Sequence, residues 1–404
     1  MTEQPPAQAE PTVGQRFVKE LTTGNTALTF LSIVLALLIG AVLIVVSDPA
    51  VQEAGGYFFS RPVDLIAAIW ESASSAYGAM FSGSVINFDA YTVGDALLPF
   101  GKTLTFATPL IGAGLAVALA FRAGLLNIGA QGQIIMGATC AGYVGFTYEM
   151  PAFFHVIVAI AAGFLGGAVW GGIAGFIKAR TGAHEVIVTI MLNHIARLLL
   201  AYLLTIELFS RPGEALPRSP VVFESVQLWR PVAGSTVHIG LLFVLLAAGY
   251  SWWLLSRSTM GFRFRAVGHN PNAATTAGIS VGRSYTAVMF IGGGMAGLAG
   301  AAHLLGTEHY LTDGIAGQLG FDAITVALLG RSSPVGTVAA GLLFGALRAG
   351  ATTMAAQTQT PIDIVLVVQS LIVLFIAAPP LVRAVFRLKV RSTRAIAPEV
   401  GGRV

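Results

Sequence analysis

The stretch FRAGLLNIGAQGQ, residues 121–133, places polar side chains inside a long apolar region. It holds an arginine, an asparagine, two glutamines and three glycines. Amide side chains are costly in lipid unless they are hydrogen-bonded. The glycines permit a broken or re-entrant segment whose freed backbone groups face a cavity. We expect a tight cytoplasmic turn after Arg122, followed by a helix on which Asn127 and Gln131 share one face while Gln133 points elsewhere.

The composition of the 404-residue chain is that of a membrane protein. Only 10% of its residues are charged, whereas a soluble domain has about 25%, and its mean hydropathy is +0.77. Because lipid cannot satisfy open sheet edges, we predict an all-α polytopic membrane protein. Ten helices are expected, the eighth too short to cross alone, at roughly 26–47, 103–121, 125–147, 152–177, 185–207, 238–255, 284–305, 319–330, 335–355 and 362–380.

The basic residues orient these helices. With the N-terminus inside, five of the 23 lysines and arginines fall outside and two within spans, which leaves 16 on the cytoplasmic side. The positive-inside rule therefore favours cytoplasmic termini. We divide the chain into a disordered tail at 1–25, a transmembrane domain at 26–383 and a basic cytoplasmic tail at 384–404. The basic tail either meets anionic lipid or serves as a topology anchor, and no nucleic acid is needed to explain its charge.

The outer segment 48–102 contains PVDLIAAIWESASSAYGAMF, residues 62–81. Its apolar residues lie near i, i+4 spacing, at Leu65, Ile69, Ala73, Tyr77 and Phe81. The pattern fits an interfacial helix and fits equally well a helix packed on the bundle.

Small residues form stripes on three of the predicted helices. At every fourth position stand Gly163, Gly167, Gly171 and Gly175; Gly293, Gly297 and Ala301; and Gly341, Gly345 and Ala349. Such stripes let helix backbones approach closely in a membrane. They predict a tight bundle rather than a wide pore.

A polar stripe follows the fifth span, where Glu185, Thr189, Asn193 and Arg197 recur every four residues. Such a face meets protein or water rather than lipid. It is either an internal hydrogen-bonded network or a solute pathway. Arg197 lies roughly 18 Å along the helix from Glu185 and needs a partner that the sequence does not identify.

The second half of the chain repeats the character of the opening stretch. In LTDGIAGQLGFDAITVALLG, residues 311–330, a glycine-rich start and Gln318 precede Asp322 in a short apolar run. Paired interrupted segments in two halves point to a binding site at their interface. We therefore select Asn127, Gln131, Asn193 and Asp322 as candidate pathway residues, since amides hydrogen-bond hydroxyls and base edges without carrying charge.

The cytoplasmic loop at 256–284 has four arginines and no acidic residue. Gly268 to Pro271 is predicted to turn, Asn270 to cap a short helix, and Gly278 to close it. The loop is either a surface for a cytosolic partner or an ordinary basic turn.

Motifs for catalysis and ATP binding fail on inspection. FGKT, residues 100–103, lacks the correctly spaced glycine of a P-loop and falls outside the cytoplasm. GGGMAG, residues 292–297, lies in a hydrophobic span without a βαβ context. No Cys/His cluster has metal-ligand spacing. The chain is predicted to be neither an enzyme nor an ATPase.

Three motifs resemble those of permease subunits of bacterial ABC importers. They are FRAGLLNIGAQGQIIMGA (121–138), HEVIVTIMLNHIA (184–196) and GFRFRAVGHNPNAATTAGISVGR (261–283). The branch handles branched-chain amino acids, simple sugars and nucleosides. The chain looks most like the longer of two permeases in nucleoside importers of the basic-membrane-protein type, over residues 100 to 380.

The resemblance implies a type II importer fold similar to the vitamin B12 permease, with ten helices in two pseudo-repeated halves, in the bacterial plasma membrane. It implies a cytosolic ATPase subunit that carries ATP and Mg²⁺, a shorter second permease, and an extracytoplasmic solute-binding lipoprotein. No cofactor is expected in this chain. By motif, the contact with the ATPase maps to Gly268, Asn270, Pro271, Ala273, Ala274 and Gly278. Arg197 departs from the family pattern, in which an apolar residue is more usual.

The leading hypothesis is therefore nucleoside import by alternating access, with a monosaccharide as the alternative solute. An ion-coupled secondary transporter is the alternative from another class, because it too has interrupted helices. It would more often need carboxylates in the membrane, and here only Asp322 lies well within a span.

Overall fold

The computed structural model describes residues 25–211, 213 and 216–386, so the two predicted tails lie almost entirely outside the described residues. Within these ranges the chain forms helices and no β-strand. The helices are α1 Asn25–Ser47, α2 Pro49–Gly56, α3 Pro62–Ser84, α4 Val93–Ala96, α5 Leu98–Arg122, α6 Ala130–Thr147, α7 Ala152–Thr181, α8 Glu185–Leu203, α9 Gly240–Arg257, α10 Thr259–His269, α11 Pro271–Thr276, α12 Val281–His303, α13 Leu319–Leu329, α14 Pro334–Thr358, α15 Asp363–Ala377 and α16 Pro379–Val385. A π-helical turn, Leu304–Glu308, continues α12.

Seven of the described helices are long and apolar enough to cross a membrane, namely α1, α5, α7, α8, α9, α12 and α14. Helices α15 and α16 meet at a 96° bend and make an eighth span if they are counted together. Helix α13 has 11 residues, too few to cross a bilayer alone. Each predicted segment coincides with a helix, whereas ten crossings and two pseudo-repeated halves stay predictions.

Helix α12 forms the centre of the bundle, where it packs on α7, α6 and α5. The predicted small-residue stripes of α7 and α12 face each other there. A Cβ added to Gly297 would overlap the carbonyl oxygen of Gly163 and lie 2.8 Å from the Cα of Gly167. The two backbones are thus in direct contact, which confirms the prediction of a tight bundle.

A second apolar cluster joins α1, α3, α14 and α15. Of the two alternatives for residues 62–81, the structure favours packing, because α3 lies along α14. However, α3 buries small residues such as Ser72, Ala76 and Ala79 rather than the predicted apolar stripe, of which Ile69 and Phe81 are exposed. Small side chains occupy this face because α14 approaches closely. The approach is so close that a Cβ on Gly350 of α14 would overlap the backbone of α3.

The loop at 256–284 contains more helix than we predicted. An 11-residue helix, α10, precedes the expected short helix α11. Ser258 caps α10 by accepting a hydrogen bond from the Gly261 N–H at 2.9 Å, and the helix buries its own Phe264 and Val267. The prediction that Gly268 begins a turn is wrong, since Gly268 belongs to the last turn of α10.

Candidate functional site

The chain is not helical where the opening stretch enters the bundle. Helix α5 ends at Arg122, Gly124 adopts a φ of +74°, and α6 begins only at Ala130. Leu125 and Asn127 are nevertheless buried. Buried backbone without helical hydrogen bonds needs other partners, and the neighbouring amide side chains supply them. The predicted broken segment is therefore present.

Asn127 lies in this broken segment and not on α6. Its amide pairs with that of Gln133 in both directions, at 3.1 and 3.2 Å, and its oxygen also accepts the Gly129 N–H at 3.0 Å. The prediction that Asn127 and Gln131 share a helix face is therefore wrong, as is the expectation that Gln133 points elsewhere. The i, i+4 rule fails because α6 starts after position 127.

Asn193 of α8 holds the other side of the break. Its Nδ2 donates to the Ile128 carbonyl at 2.9 Å, and its Oδ1 accepts the Gly132 N–H at 2.8 Å. Both bonds go to backbone groups that the interrupted helix leaves unpaired. Asn193 thus fixes the start of α6 against α8.

Gln131 joins the two glycine–amide segments. Its Nε2 donates to the Gly317 carbonyl at 2.7 Å, and its Oε1 accepts the Gly320 N–H at 2.7 Å. A Cβ on Gly320 would overlap the backbone of Gln131, so the start of α13 lies directly on the start of α6. The structure therefore brings together the two segments that the sequence pairs, at residues 121–133 and 311–322.

The loop at 309–318 is also held by the segment that follows α8. His309 has a φ of +62°, and its carbonyl accepts the Val222 N–H at 2.9 Å. Ser219 exchanges hydrogen bonds with Leu311 at 3.1 and 2.8 Å. Burial lowers the pKa of His309, and the Arg230 guanidinium at 3.2 Å lowers it further. The neutral imidazole of His309 therefore accepts a hydrogen bond from Arg230.

One face of this loop lines a cavity of about 300 Å³, which we call the α8 cavity. Its wall includes Gln131 and Asn193 together with Arg197, Asp313 and Phe321. Glu185, Thr189 and Asn193 of the predicted polar stripe are buried, whereas Arg197 is exposed. The cavity therefore contains two of the four predicted pathway residues, and sequence reasoning missed Asp313 and Phe321.

The opposite face of the loop lines a second cavity of about 220 Å³, which we call the α14 cavity. There Arg348 lies 3.4 Å from Asp322, and His303 lies 3.7 Å from Glu308. Asp322 is thus placed apart from Gln131 and Asn193, on the far side of the loop. The sequence does not predict its partner Arg348, because the two residues are 26 positions apart and lie on different helices.

The short helix α11 follows the sequence prediction closely. The Asn270 side chain accepts hydrogen bonds from the N–H groups of Asn272 and Ala273, at 3.0 and 3.1 Å. Pro271 occupies the first turn, and Gly278 ends the element with a φ of +79°. Ala274 is buried, but Pro271, Asn272 and Ala273 are exposed. This helix therefore offers an exposed surface.

A junction connects this loop to both interrupted segments. Gly268 packs so tightly that an added Cβ would overlap the Arg122 carbonyl and lie 2.9 Å from the Gly124 nitrogen. The Arg122 Nε in turn donates to the Ser332 carbonyl at 2.7 Å, just beyond α13. Gly268 of α10 is therefore in contact with the broken segment, which Arg122 ties to the end of α13.

We predict that Gln131→Leu loosens the loop without unfolding the bundle. Two hydrogen bonds at about 1 kcal/mol each should raise the local opening constant roughly 30-fold. Hydrogen–deuterium exchange of the Gly320 amide should accelerate, while exchange within α12 stays unchanged. Gln318→Leu is the matched control, since Gln318 is an exposed amide in the same loop. Equal protection of Gly320 in both variants would contradict the clamp.

The family of the chain follows from its similarity to known proteins. Residues 100–377 match the family described as the permease component of branched-chain amino acid transport systems. The guanosine ABC transporter permease protein NupP of Bacillus subtilis is 39% identical over 320 residues, 78% of this chain and 88% of that protein.

Two further relatives cover a similar region. The glucose ABC transporter permease protein TsgB13 of Haloferax volcanii is 33% identical over 74% of this chain and 79% of its own length. The nucleoside ABC transporter permease protein NupB of Lactococcus lactis is 32% identical over 69% of this chain and 78% of its own length. No solved structure matches the chain. The chain therefore belongs to the permease component family of branched-chain amino acid transport systems, and it is a multi-pass ABC transporter permease of the plasma membrane.

Proposed function

We propose that this chain is a permease subunit of an ATP-driven importer for nucleosides. The observation that carries the proposal is its 39% identity, over 78% of the chain, to a guanosine permease. The nucleoside permease of Lactococcus lactis supports the same solute class. Both termini lie in the cytoplasm in this proposal, as the distribution of basic residues favours.

The family implies an ATPase partner and a second permease. The ATPase carries ATP and Mg²⁺, the second permease is a shorter paralogue, and a lipoprotein delivers the solute from outside. The exposed surface of α11 is the contact with the ATPase. The residues that we assign to the coupling are Gly268, Asn270, Pro271, Ala273, Ala274 and Gly278. Of these, Asn270, Pro271, Ala273 and Gly278 are exposed, whereas Ala274 is buried and Gly268 belongs to α10.

The transport step would be alternating access. ATP-dependent closure of the ATPase moves α11 and α10, and the packing of Gly268 on Arg122 and Gly124 supports transmission to the broken segment. The solute passes the α8 cavity, where Gln131 and Asn193 border the pathway. In this account Asn127 and Asp322 act by holding the flanking elements in place.

A monosaccharide is the second candidate solute, because the chain is 33% identical to a glucose permease. Uptake of labelled guanosine and glucose by cells with and without this chain separates the two candidates. Nucleoside import predicts that removal of the chain abolishes guanosine uptake and leaves glucose uptake intact. Loss of glucose uptake alone would support the second candidate and refute the first.

A further inference from the structure

The two cavities beside the loop at 309–318 differ in how their charges are balanced. In the α14 cavity the Arg348 guanidinium has an acidic partner within the chain, since its Nη1 lies 3.4 Å from the Asp322 carboxylate. This pair joins α13 to α14. The arginine of the α14 cavity therefore needs no ligand as its counter-ion.

The α8 cavity contains charges that are not paired. Among the described residues, neither Arg197 nor Asp313 has a counter-ion within 4.0 Å, although both line this cavity. Arg197 lies twelve residues into α8, roughly 18 Å along its axis. A charge at membrane depth needs water, protein or solute as its partner, and it marks a functional site by default. The α8 cavity has a volume of about 300 Å³, which reaches the usual range of small-molecule sites, about 300–1,000 Å³.

The two amides in this wall are oriented by the backbone, which leaves each of them one N–H donor and one acceptor lone pair. Gln131 and Asn193 each use their oxygen and their nitrogen on backbone groups. The polar side chains of the wall that are not held in this way are the Arg197 guanidinium, the Asp313 carboxylate and the His194 ring. Phe321 adds an aromatic side chain that is 51% exposed. Beside the amides, the cavity therefore offers a fork of donors, a pair of acceptors and an aromatic surface.

We propose that the α8 cavity binds the base of a 6-oxopurine nucleoside, guanosine above all, through Arg197, Asp313 and Phe321. The inference rests on the proposed function, which it makes specific. Arginine binds the O6 and N7 acceptors of guanine in bidentate fashion. An ionised carboxylate accepts two hydrogen bonds, which match the adjacent N1–H and 2-amino donors of guanine. An aromatic ring stacks on any base.

Other solutes satisfy this set less completely. Guanine is the common base that presents two adjacent acceptors next to two adjacent donors. Adenine alternates acceptors with its single amino donor, and uracil alternates acceptors with a single N–H. Inosine keeps both acceptors and the N1–H but lacks the 2-amino group. A monosaccharide has no π-face for Phe321. Substitutions in the cavity should therefore reduce uptake most for guanosine, less for inosine, and least for adenosine and uridine.

The test measures uptake by the complete importer in proteoliposomes, with saturating solute and binding lipoprotein. Each variant is compared with the wild type for the same nucleoside, so that the selectivity of the lipoprotein cancels. Arg197→Gln should lower guanosine and inosine uptake about tenfold and should change uridine uptake less than twofold. Asp313→Asn should lower guanosine uptake about tenfold and inosine uptake less, because inosine offers one donor fewer.

Leu198→Ala is the matched control, since Leu198 is exposed beside Arg197 and does not line the cavity. It should leave all four uptakes unchanged. Equal losses for every nucleoside in the two test variants, or none, would overturn this inference and leave the proposed function intact. If Arg197→Gln lost the co-purified second permease but kept its nucleoside selectivity, Arg197 would be a subunit contact. That result would also overturn this inference and leave the proposed function intact. A wild-type importer that moves no nucleoside would overturn both proposals.

Discussion

Gly297→Leu is expected to prevent accumulation of folded protein. Gly297 lies where α12 touches α7, and its missing side chain is what allows the backbones to meet. A leucine there would press on backbone atoms of Gly163 and Gly167, which no rotamer change can move aside. Overpacking of this kind costs about 3 kcal/mol or more, against a total stability of about 5–15 kcal/mol.

Membrane yield and thermal unfolding of the detergent-extracted protein measure this effect. Gly249→Leu is the matched control, because Gly249 of α9 has no atom within 4 Å of an added Cβ. We expect Gly249→Leu to melt like the wild type and Gly297→Leu to yield little monodisperse protein. Similar yields and melting temperatures for both variants would show that α7 and α12 do not pack as described.

Replacing Asn270–Pro271–Asn272 with Gly-Ser-Gly is expected to abolish transport while the membrane bundle stays folded. A six-residue helix has no stability of its own. It depends on the Asn270 cap, worth about 1 kcal/mol, and on a preset proline in its first turn. Because Pro271 and Asn272 are exposed, their loss removes a surface rather than core packing.

Co-purification of the ATPase subunit and ATP-dependent uptake are the measurements. Both should fall to background in the Gly-Ser-Gly variant, whose thermal unfolding should stay near that of the wild type. Asn270→Asp retains a capping oxygen and should keep most of both activities. Unchanged ATPase binding in the Gly-Ser-Gly variant would refute the assignment of α11.

The parts of the structure that sequence predicts well are those that local rules control. The α11 cap at Asn270 and its end at Gly278 depend on a few neighbouring residues, and both occur where expected. The glycine stripe of α12 follows from a four-residue spacing and an apolar setting. The stripe on α7 is equally regular. The sequence therefore predicts that each helix packs closely on a neighbour, but it does not predict that α7 and α12 are neighbours.

The parts that sequence predicts poorly depend on where helices begin and what lies across from them. Asn127 carries the right residue type, but α6 starts after it, so its amide binds Gln133 instead of sharing a face with Gln131. The sequence does not predict α10, because its apolar face consists only of Phe264 and Val267 and lies among arginines. Asp313 and Phe321 become candidates only once the fold brings them opposite α8.

The source of energy separates the proposed importer from an ion-coupled transporter. In the described membrane helices, the carboxylate of Asp322 is already paired with Arg348, which leaves it less suited to bind a coupling ion. The ATPase partner implied by the family supports ATP as the energy source. ATP dependence is therefore the central claim of the account.

Guanosine uptake by proteoliposomes tests this claim most directly. The vesicles contain the chain with its second permease, ATPase and binding lipoprotein, and either ATP or a proton or sodium gradient supplies energy. We predict uptake with ATP and none with either gradient alone. Guanosine accumulation by the purified chain on its own, driven by an ion gradient and without ATP, would contradict the account.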